Sequence, residues 1–312
     1  MKNRGFLIFI VTLNLTLCYV VSCVGITLIG IAANVIKPAP GFGDAVAIVY
    51  LEGEIVTGRP ISDYGGTVYS EKIIEYLRRI QKDSSIKAVV LRINSPGGSV
   101  VASRDIYDEI VATQKKGKPV VASFSELAAS GGYYVAAPAD KIYSHPDAIT
   151  GSIGVISIIP SIEGLTEKIG VKMIVIKSGA HKDESYGFRD LTSEERAIWQ
   201  AMIDEAYNEF VAVVAKGRNL EIAKVKQLAD GRIFTGNQAK ALGLVDEIGN
   251  LEAAVEAAAR LGKITGTPRK VEYRYQPGFF ESLGVKFGFT QSVDDLLATQ
   301  RWGRMLYLYV AP

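Results

Sequence analysis

The chain has 312 residues, 48% hydrophobic and 22% charged, which is enough for one large globular domain or two small ones. Its net charge is only +2, so no basic surface for nucleic acid is indicated. Both cysteines, Cys18 and Cys23, lie in an apolar run near the N-terminus, which excludes a disulfide framework in the rest of the chain.

That apolar run is the first predicted element. Residues 5–36 contain no charge and exceed the roughly 20 residues that span a bilayer, whereas the core of a cleaved signal peptide is usually about 7–15 residues. We therefore expect a retained single-pass transmembrane helix. Lys2 and Arg4 precede it and predict a cytoplasmic N-terminus, with everything after residue 36 outside the cytoplasm. A Pro/Gly linker follows at 37–44.

The residues after the linker alternate between strand and helix patterns, which predicts an α/β fold with crossover units and one domain over 45–270. Predicted strands lie at 45–55, 88–94, 119–124, 141–145, 154–159, 172–177 and around Leu244. Predicted helices lie at 69–82, 99–116, after Ser130, and at 193–216, 221–228, 236–242 and 250–261. The long helix at 193–216 opens with Thr192 and Glu195 in capping-box register.

The tail at 271–312 is less regular. Its VEYRYQ segment has the pattern of a last strand, and FFESLGVKFGF and MLYLYV are apolar enough to pack on a partner, the membrane or the domain itself.

A glycine-rich turn in LRINSPGGSV (91–100) follows a buried-type strand and precedes a helix. Gly97 and Gly98 permit positive φ, and N–H groups left free near a helix start favour a negative oxygen. This is the layout of half an oxyanion hole, although a glycine-rich turn between a strand and a helix is also common.

Ser130 stands in AASGGYYVA at the expected start of a helix, followed by Gly131, whose N–H could be a second oxyanion donor. The alternative is an ordinary N-cap serine. A nucleophilic serine needs a base, and neither of the two histidines is close to Ser130 in sequence.

Lys182, in the loop SGAHKDES, offers that base. A solvated lysine has a pKa of about 10.4 and is protonated near neutral pH, so the role requires burial against apolar surface. We therefore expect Lys182 to be buried and to take the serine proton. Ser152, in AITGSIGVI, could orient its amine, or could be a turn serine.

The histidines are weaker candidates. His145 lies at a strand end, and His181 is adjacent to Lys182 and should point to a different side. No H-E-x-x-H or carboxylate-rich spacing accompanies them, so a zinc mechanism is not expected.

Together, INSPGG, ASGGYYVA, TGSIGV and SGAHKD resemble the S49 serine peptidase family, over roughly residues 44–262. The resemblance implies a Clp protease/crotonase-type fold, a superhelix of ββα units in a single copy, with Ser130 as nucleophile, Lys182 as base and Ser152 orienting the lysine. It implies oxyanion donors at Gly97, Gly98 and Gly131, and neither metal nor cofactor.

The same resemblance implies hydrophobic peptide substrates such as released signal peptides, and a homo-oligomeric ring or dome in which neighbouring subunits complete the active sites. Three other hypotheses remain. The same Ser–Lys dyad could act on hydrophobic segments of other membrane proteins, such as stomatin-like ones. The fold could belong to an acyl-CoA hydratase or isomerase, or the chain could be a catalytically silent membrane scaffold.

Overall fold

The computed structural model describes residues 43–58, 66–274 and 305–308. The transmembrane helix predicted at 5–36 lies outside these residues, as do nearly all of the linker and most of the tail. Within the described ranges no helix is long and apolar enough to cross a membrane.

The main sheet consists mostly of parallel strands. Its centre is β4 (Ile86–Ser95), which pairs in parallel with β1 (Ala45–Glu52) and with β6 (Val120–Ala129). The order continues through β7 (Lys141–Ser144) to β10 (Glu247–Ile248) on one side and to β11 (Arg269–Tyr273) on the other. Residues 271–273 of the VEYRYQ segment therefore belong to a strand, although β12 and not this strand is the last in the described part of the chain.

A second group of strands lies near the C-terminal end of β6. There β8 (Ile149–Gly151) pairs in parallel with β6, and β9 (Ile233–Thr235) pairs antiparallel with β8. A separate small sheet has the order β12-β5-β2-β3, from β12 (Leu306–Leu308), β5 (Gly97–Ser99), β2 (Glu54–Val56) and β3 (Thr67–Tyr69).

Helices cover both faces of the main sheet, which explains the unbroken apolar runs of its strands. Val46 and Val90 pack with Val255 on one face, while Val49 and Leu91 belong to the larger core on the other. Each such fully buried side chain contributes about 1.5–3 kcal/mol. The helices are α1 (Ser70–Lys82), α2 (Val100–Lys115), α3 (Gly131–Ala136), α4 (Glu163–Lys168), α5 (Ser193–Arg218), α6 (Ile222–Leu228), α7 (Gly236–Ala241) and α8 (Leu251–Leu261).

The α/β class and the capping box at Thr192 and Glu195 are confirmed, but three predicted strands are wrong. Residues 154–159 form only an isolated bridge, from Ile156 to Leu306, and 172–177 form no strand. Apart from that bridge, these β-branched residues pair with no strand in the described part of the chain, and strand propensity depends on such a partner. The strand expected around Leu244 begins three residues later as β10, because Leu244 lies in a buried turn after α7.

Candidate active site

Ser130 occupies a sharp turn between β6 and α3. Its φ is +52° and ψ is −117°, a conformation that a non-glycine residue adopts at a cost of about 1–3 kcal/mol. The backbone holds this turn: the Ser130 N–H donates to the Gly151 oxygen at 2.8 Å, and the Tyr134 N–H donates to the Ser130 oxygen at 2.8 Å. The side chain makes no capping hydrogen bond, so the N-cap role does not engage the hydroxyl.

Ser152 lies beside Ser130 because of strand register. Ala129 of β6 pairs with Gly151 of β8, and each serine is the next residue after its strand. Ser152 also has positive φ, +49°, and its N–H donates to the Arg232 oxygen at 2.8 Å. Both serines are buried. Two hydroxyl-bearing residues are therefore held together at the carboxyl ends of adjacent parallel strands.

The glycine-rich turn packs directly against the start of α3. Gly97 has a φ of +99°, and a Cβ added there would lie 2.5 Å from the Gly131 nitrogen. A Cβ on Gly131 would lie 3.1 Å from the Gly98 nitrogen. The three predicted oxyanion residues are thus neighbours. The Gly97 N–H donates to Ser95 Oγ at 3.1 Å, whereas the Gly131 N–H belongs to the first turn of α3 and has no partner within that helix, which makes it the better candidate to bind a developing oxyanion.

Ser130 and Ser152 line one cavity of about 450 Å³. Its other walls include Asp204 and Tyr207 of α5, and Asp230 after α6. The hydrogen bonds from Arg232 lower the pKa of Asp230 to about 2, so its carboxylate is charged at neutral pH. The α5 residues are cavity-lining positions that the sequence patterns did not single out. Their signal is a helical spacing of Gln200, Ile203, Asp204 and Tyr207, which places them on one face of the helix.

The chain's own β12 lies along this site. Tyr307 pairs antiparallel with Gly98, and Leu308 pairs with Gly97 and lines the cavity. On the other side, Ile156 and Leu306 exchange hydrogen bonds of 2.9 and 3.0 Å. Residues 305–308 of the MLYLYV segment therefore pack on the domain, one of the three locations predicted for this segment. An extended peptide segment thus fits between the glycine turn and Ile156.

Lys182 is exposed and does not line the Ser130 cavity. The expected burial of Lys182 is therefore wrong for the single chain. Burial fails because the preceding residues 171–180 are all exposed and provide no apolar cover over the turn. Among the residues that line the cavity there is neither a lysine nor a histidine, so a base of either kind would have to enter from elsewhere.

The histidines lie outside the cavity. His145 Nδ1 is 3.8 Å from Asp147, and His181 Nδ1 is 3.4 Å from Glu195 Oε1. Ligand atoms of His181, Glu184 and Glu195 lie within 4.8 Å of one another, the spacing of a possible metal site. Both Glu195 oxygens accept hydrogen bonds from Arg189, however, and this neutralised carboxylate does not favour a cation there.

A serine held at a strained strand-to-helix turn, beside closely packed glycine N–H groups, defines the class of α/β serine hydrolases. The sequence profile of Peptidase family S49 matches residues 112–265, and that of Clp protease matches residues 42–149. The chain belongs to peptidase family S49, and it is a serine endopeptidase.

Individual relatives agree with the profiles. A provisionally named protease of Synechocystis sp. is 47% identical over 200 residues, which cover 64% of this chain and 71% of that protein. A provisionally named signal peptide peptidase SppA of Enterococcus faecium is 42% identical over 225 residues, 72% of this chain and 65% of the relative. Protease 4 of Haemophilus influenzae is 39% identical over 216 residues, 69% of this chain but only 34% of the relative. These matches favour a peptidase over an acyl-CoA enzyme or a silent scaffold.

Proposed function

We propose that this serine peptidase is anchored in a membrane and cuts hydrophobic peptides, such as released signal peptides, outside the cytoplasm. The observation that carries the proposal is the buried Ser130 turn beside Gly98 and Gly131. The apolar run at 5–36 supports the anchor, and the Lys2 and Arg4 charges support its orientation. The name of the Enterococcus relative supports the substrate class.

In this mechanism the Ser130 hydroxyl oxygen attacks the scissile carbonyl carbon while the Lys182 amine takes the hydroxyl proton. The carbonyl oxygen becomes an oxyanion, which the Gly98 and Gly131 N–H groups bind. Collapse breaks the C–N bond, and Lys182 returns the proton to the leaving amine. Water then attacks the acyl-enzyme, with Lys182 as base, and releases the second product and Ser130. Ser152 beside Ser130 would orient the lysine amine.

Lys182 would reach this site from a neighbouring subunit of a homo-oligomer, a ring or dome. Its exposure in the single chain supports this arrangement, as does the absence of lysine and histidine among the residues that line the Ser130 cavity. Contact with a neighbour would also supply the apolar cover that an uncharged lysine requires.

The segment that leads to Lys182 is suited to such contact. Ile174 is 80% exposed and Ile176 is 96% exposed. Monomeric proteins rarely expose contiguous apolar patches of this kind, and such patches mark interaction sites. The other members of this exposed apolar arm are Ile158, Leu165, Ile169, Val171, Met173 and Val175.

The position of β12 supports a peptide substrate. Its three residues pair antiparallel with the glycine turn, and Leu308 reaches the Ser130 cavity. A substrate in the same place would gain main-chain hydrogen bonds on both edges. Access for that substrate requires β12 to move away.

The test is hydrolysis of a signal-peptide-like substrate by the full chain in detergent. We expect Ser130→Ala and Lys182→Ala each to lower kcat by at least about 10³-fold, since removal of a nucleophile or its base has effects of this size. The matched controls are Ser84→Ala and Lys224→Ala, which remove an exposed serine and an exposed lysine elsewhere. Wild-type turnover in both site variants would reject the dyad.

A further inference from the structure

The turn that carries Lys182 is fixed by a cluster of ion pairs and hydrogen bonds, which we name the 183–195 cluster after its two carboxylates, Asp183 and Glu195. Its other members are Lys177, His181, Arg189 and Thr192. The residues on both sides of Lys182 belong to it. Asp183 is buried and bound by two cations, and His181 contacts Glu195. Lys182 itself takes no part: the structure shows no ion pair or side-chain hydrogen bond for it among the described residues.

Arg189 connects the two carboxylates of the cluster. On one side its Nη2 and Nε donate to Asp183 at 2.7 and 3.2 Å. On the other side its Nη1 and Nη2 donate to Glu195 at 2.8 and 2.6 Å. The planar guanidinium has the donors to bridge two carboxylates in this way, which the ammonium of lysine cannot reproduce.

Lys177 holds the turn from the opposite end. Its Nζ donates to Asp183 Oδ1 at 2.6 Å and to the Ala180 oxygen at 2.7 Å. The chain from 177 to 183 therefore closes on itself around Lys182. With Asp183 and His181 drawn into the cluster, the residue between them is left to project away from it.

Glu195 connects this turn to the helix that borders Ser130. Its side chain is 2% exposed, accepts from the Thr192 N–H at 2.9 Å and completes the capping box of α5. The same helix presents Gln200, Asp204 and Tyr207 to the Ser130 cavity. Arg189 therefore fastens the Lys182 turn to the start of α5, a long helix that gives the turn a fixed base within its own subunit.

We infer that Arg189 is a positioning residue for catalysis: by bridging Asp183 to Glu195 it fixes the direction in which Lys182 projects. The inference rests on the proposed function, because it assumes that Lys182 is the base. Arg189 contacts no reacting atom in this scheme. Its effect should appear in the chemical step, because a base displaced by about 1 Å can cost about 100-fold in rate.

The test compares Arg189→Ala and Arg189→Lys with the wild type on a hydrophobic peptide. Arg189→Ala should lower kcat by about 10- to 100-fold and leave KM unchanged, because the substrate groove contains no atom of Arg189. Added guanidinium, well below denaturing concentration, should restore part of kcat, while sodium chloride at equal ionic strength should not. Arg189→Lys should recover only part of the rate because one ammonium cannot bridge two carboxylates.

The matched control is Arg274→Ala, which removes another arginine with two hydrogen bonds to one carboxylate, that of Glu52. This exposed pair lies outside the site, and its loss should leave kcat and KM within about twofold. If Arg189→Ala behaves like this control, or if its loss of kcat does not respond to guanidinium, the inference is overturned.

A double-variant cycle separates this inference from the proposed function. In a Lys182→Ala background, Arg189→Ala should have no further effect on kcat. An active Lys182→Ala enzyme would overturn both ideas, since no base would then need positioning. An inactive Lys182→Ala enzyme with a fully active Arg189→Ala enzyme would overturn only the positioning role.

Discussion

At the scale of single residues, Gly97 is constrained for two independent reasons. Its φ of +99° disfavours any residue with a side chain, and an added Cβ would lie 2.0 Å from the Tyr307 oxygen and 2.5 Å from the Gly131 nitrogen. Backbone atoms cannot move aside as a flexible side chain can. The glycine is therefore required by the crossing of two main chains as well as by its own dihedral.

A comparison of Gly97→Ala with Gly117→Ala separates the effect of the close packing from the effect of the positive φ. We expect kcat to fall by at least about 100-fold in Gly97→Ala, because the turn that presents the oxyanion donors must shift. Gly117→Ala is the control: Gly117 also has positive φ, +80°, but nothing lies within 4 Å of an added Cβ. It should lose only stability, by about 1–2 kcal/mol, and keep its activity. Equal kcat values in the two variants would contradict the packing argument.

The 183–195 cluster predicts a pH dependence of stability. Hydrogen bonds from Arg189 hold the pKa of the Asp183 and Glu195 carboxyls well below their usual range. Because these pKa values are lower in the folded state, the contribution to stability is present above about pH 4 and is lost as the pH falls further.

The Tm difference between wild type and Arg189→Ala should accordingly be largest at neutral pH and shrink below about pH 4. Differential scanning calorimetry across that range measures it. Lys224→Ala, which removes an exposed cation outside the cluster, should show no such trend. A difference that stays constant from neutral to acidic pH would contradict the assignment.

The sequence could predict much of the residue-scale site, because Ser130, Ser152 and the glycines stand in short local motifs with restricted backbone. Their proximity follows from parallel strands, since the ends of β6 and β8 meet. The environment of Lys182 was not predictable in this way. It depends on what covers residues 171–180, and no local pattern specifies that cover.

At the scale of elements, β12 is a short strand that lies beside the active site. It has three residues, yet Tyr307 is buried, with its ring 4.9 Å from that of Tyr134 and 4.6 Å from that of Phe210. Its hydroxyl donates to the Ala206 oxygen at 2.9 Å. Tyr307 therefore packs on three residues of the core and, with the buried Leu306 and Leu308, holds this strand at the Ser130 groove.

Tyr307→Ala should release that strand. A buried aromatic contributes about 3–5 kcal/mol, so we expect faster amide hydrogen exchange at residues 97–99. KM for a hydrophobic peptide should fall, because an internal competitor for the groove is weakened. Tyr186→Ala, at a tyrosine that is 63% exposed, is the control. Unchanged exchange and unchanged KM in Tyr307→Ala would contradict the competition.

Sequence patterns predicted the long elements of the fold but not the short strands around the site. In the amphipathic helices and in the buried strands β1 and β4, the pattern of apolar residues reflects which positions are buried, so it can be read from the sequence. In contrast, β5 contains two glycines, and β8 is only three residues long. Each forms a strand only because of the strands it pairs with. Their pairing is set by tertiary contacts that propensity does not encode.

At the scale of the whole molecule, the proposed sharing of the active site between subunits has a quantitative consequence. In a closed ring, each site would combine Ser130 of one subunit with Lys182 of the next. A mixture of two inactive variants then contains some complete sites, whereas a site built within one chain cannot be restored by mixing.

Equal amounts of Ser130→Ala and Lys182→Ala, allowed to exchange subunits, should recover about one quarter of wild-type activity, by random pairing around a ring. Peptide hydrolysis before and after mixing measures it. Mixing Ser130→Ala with a Ser130→Ala, Lys182→Ala double variant is the negative control. If no activity is recovered although subunit exchange is verified, Ser130 and Lys182 must act within the same chain.

The contact between β12 and the glycine turn involves main-chain atoms on the side of Gly97 and Gly98, because these residues have no side chains to offer. A chain bound there is therefore recognised by its free N–H and C=O groups more than by its sequence. In a folded protein most main-chain N–H and C=O groups are already hydrogen-bonded within helices and sheets, so they are not free to bind there. A peptidase that binds its substrate in this way would favour extended segments with free main-chain groups over folded protein.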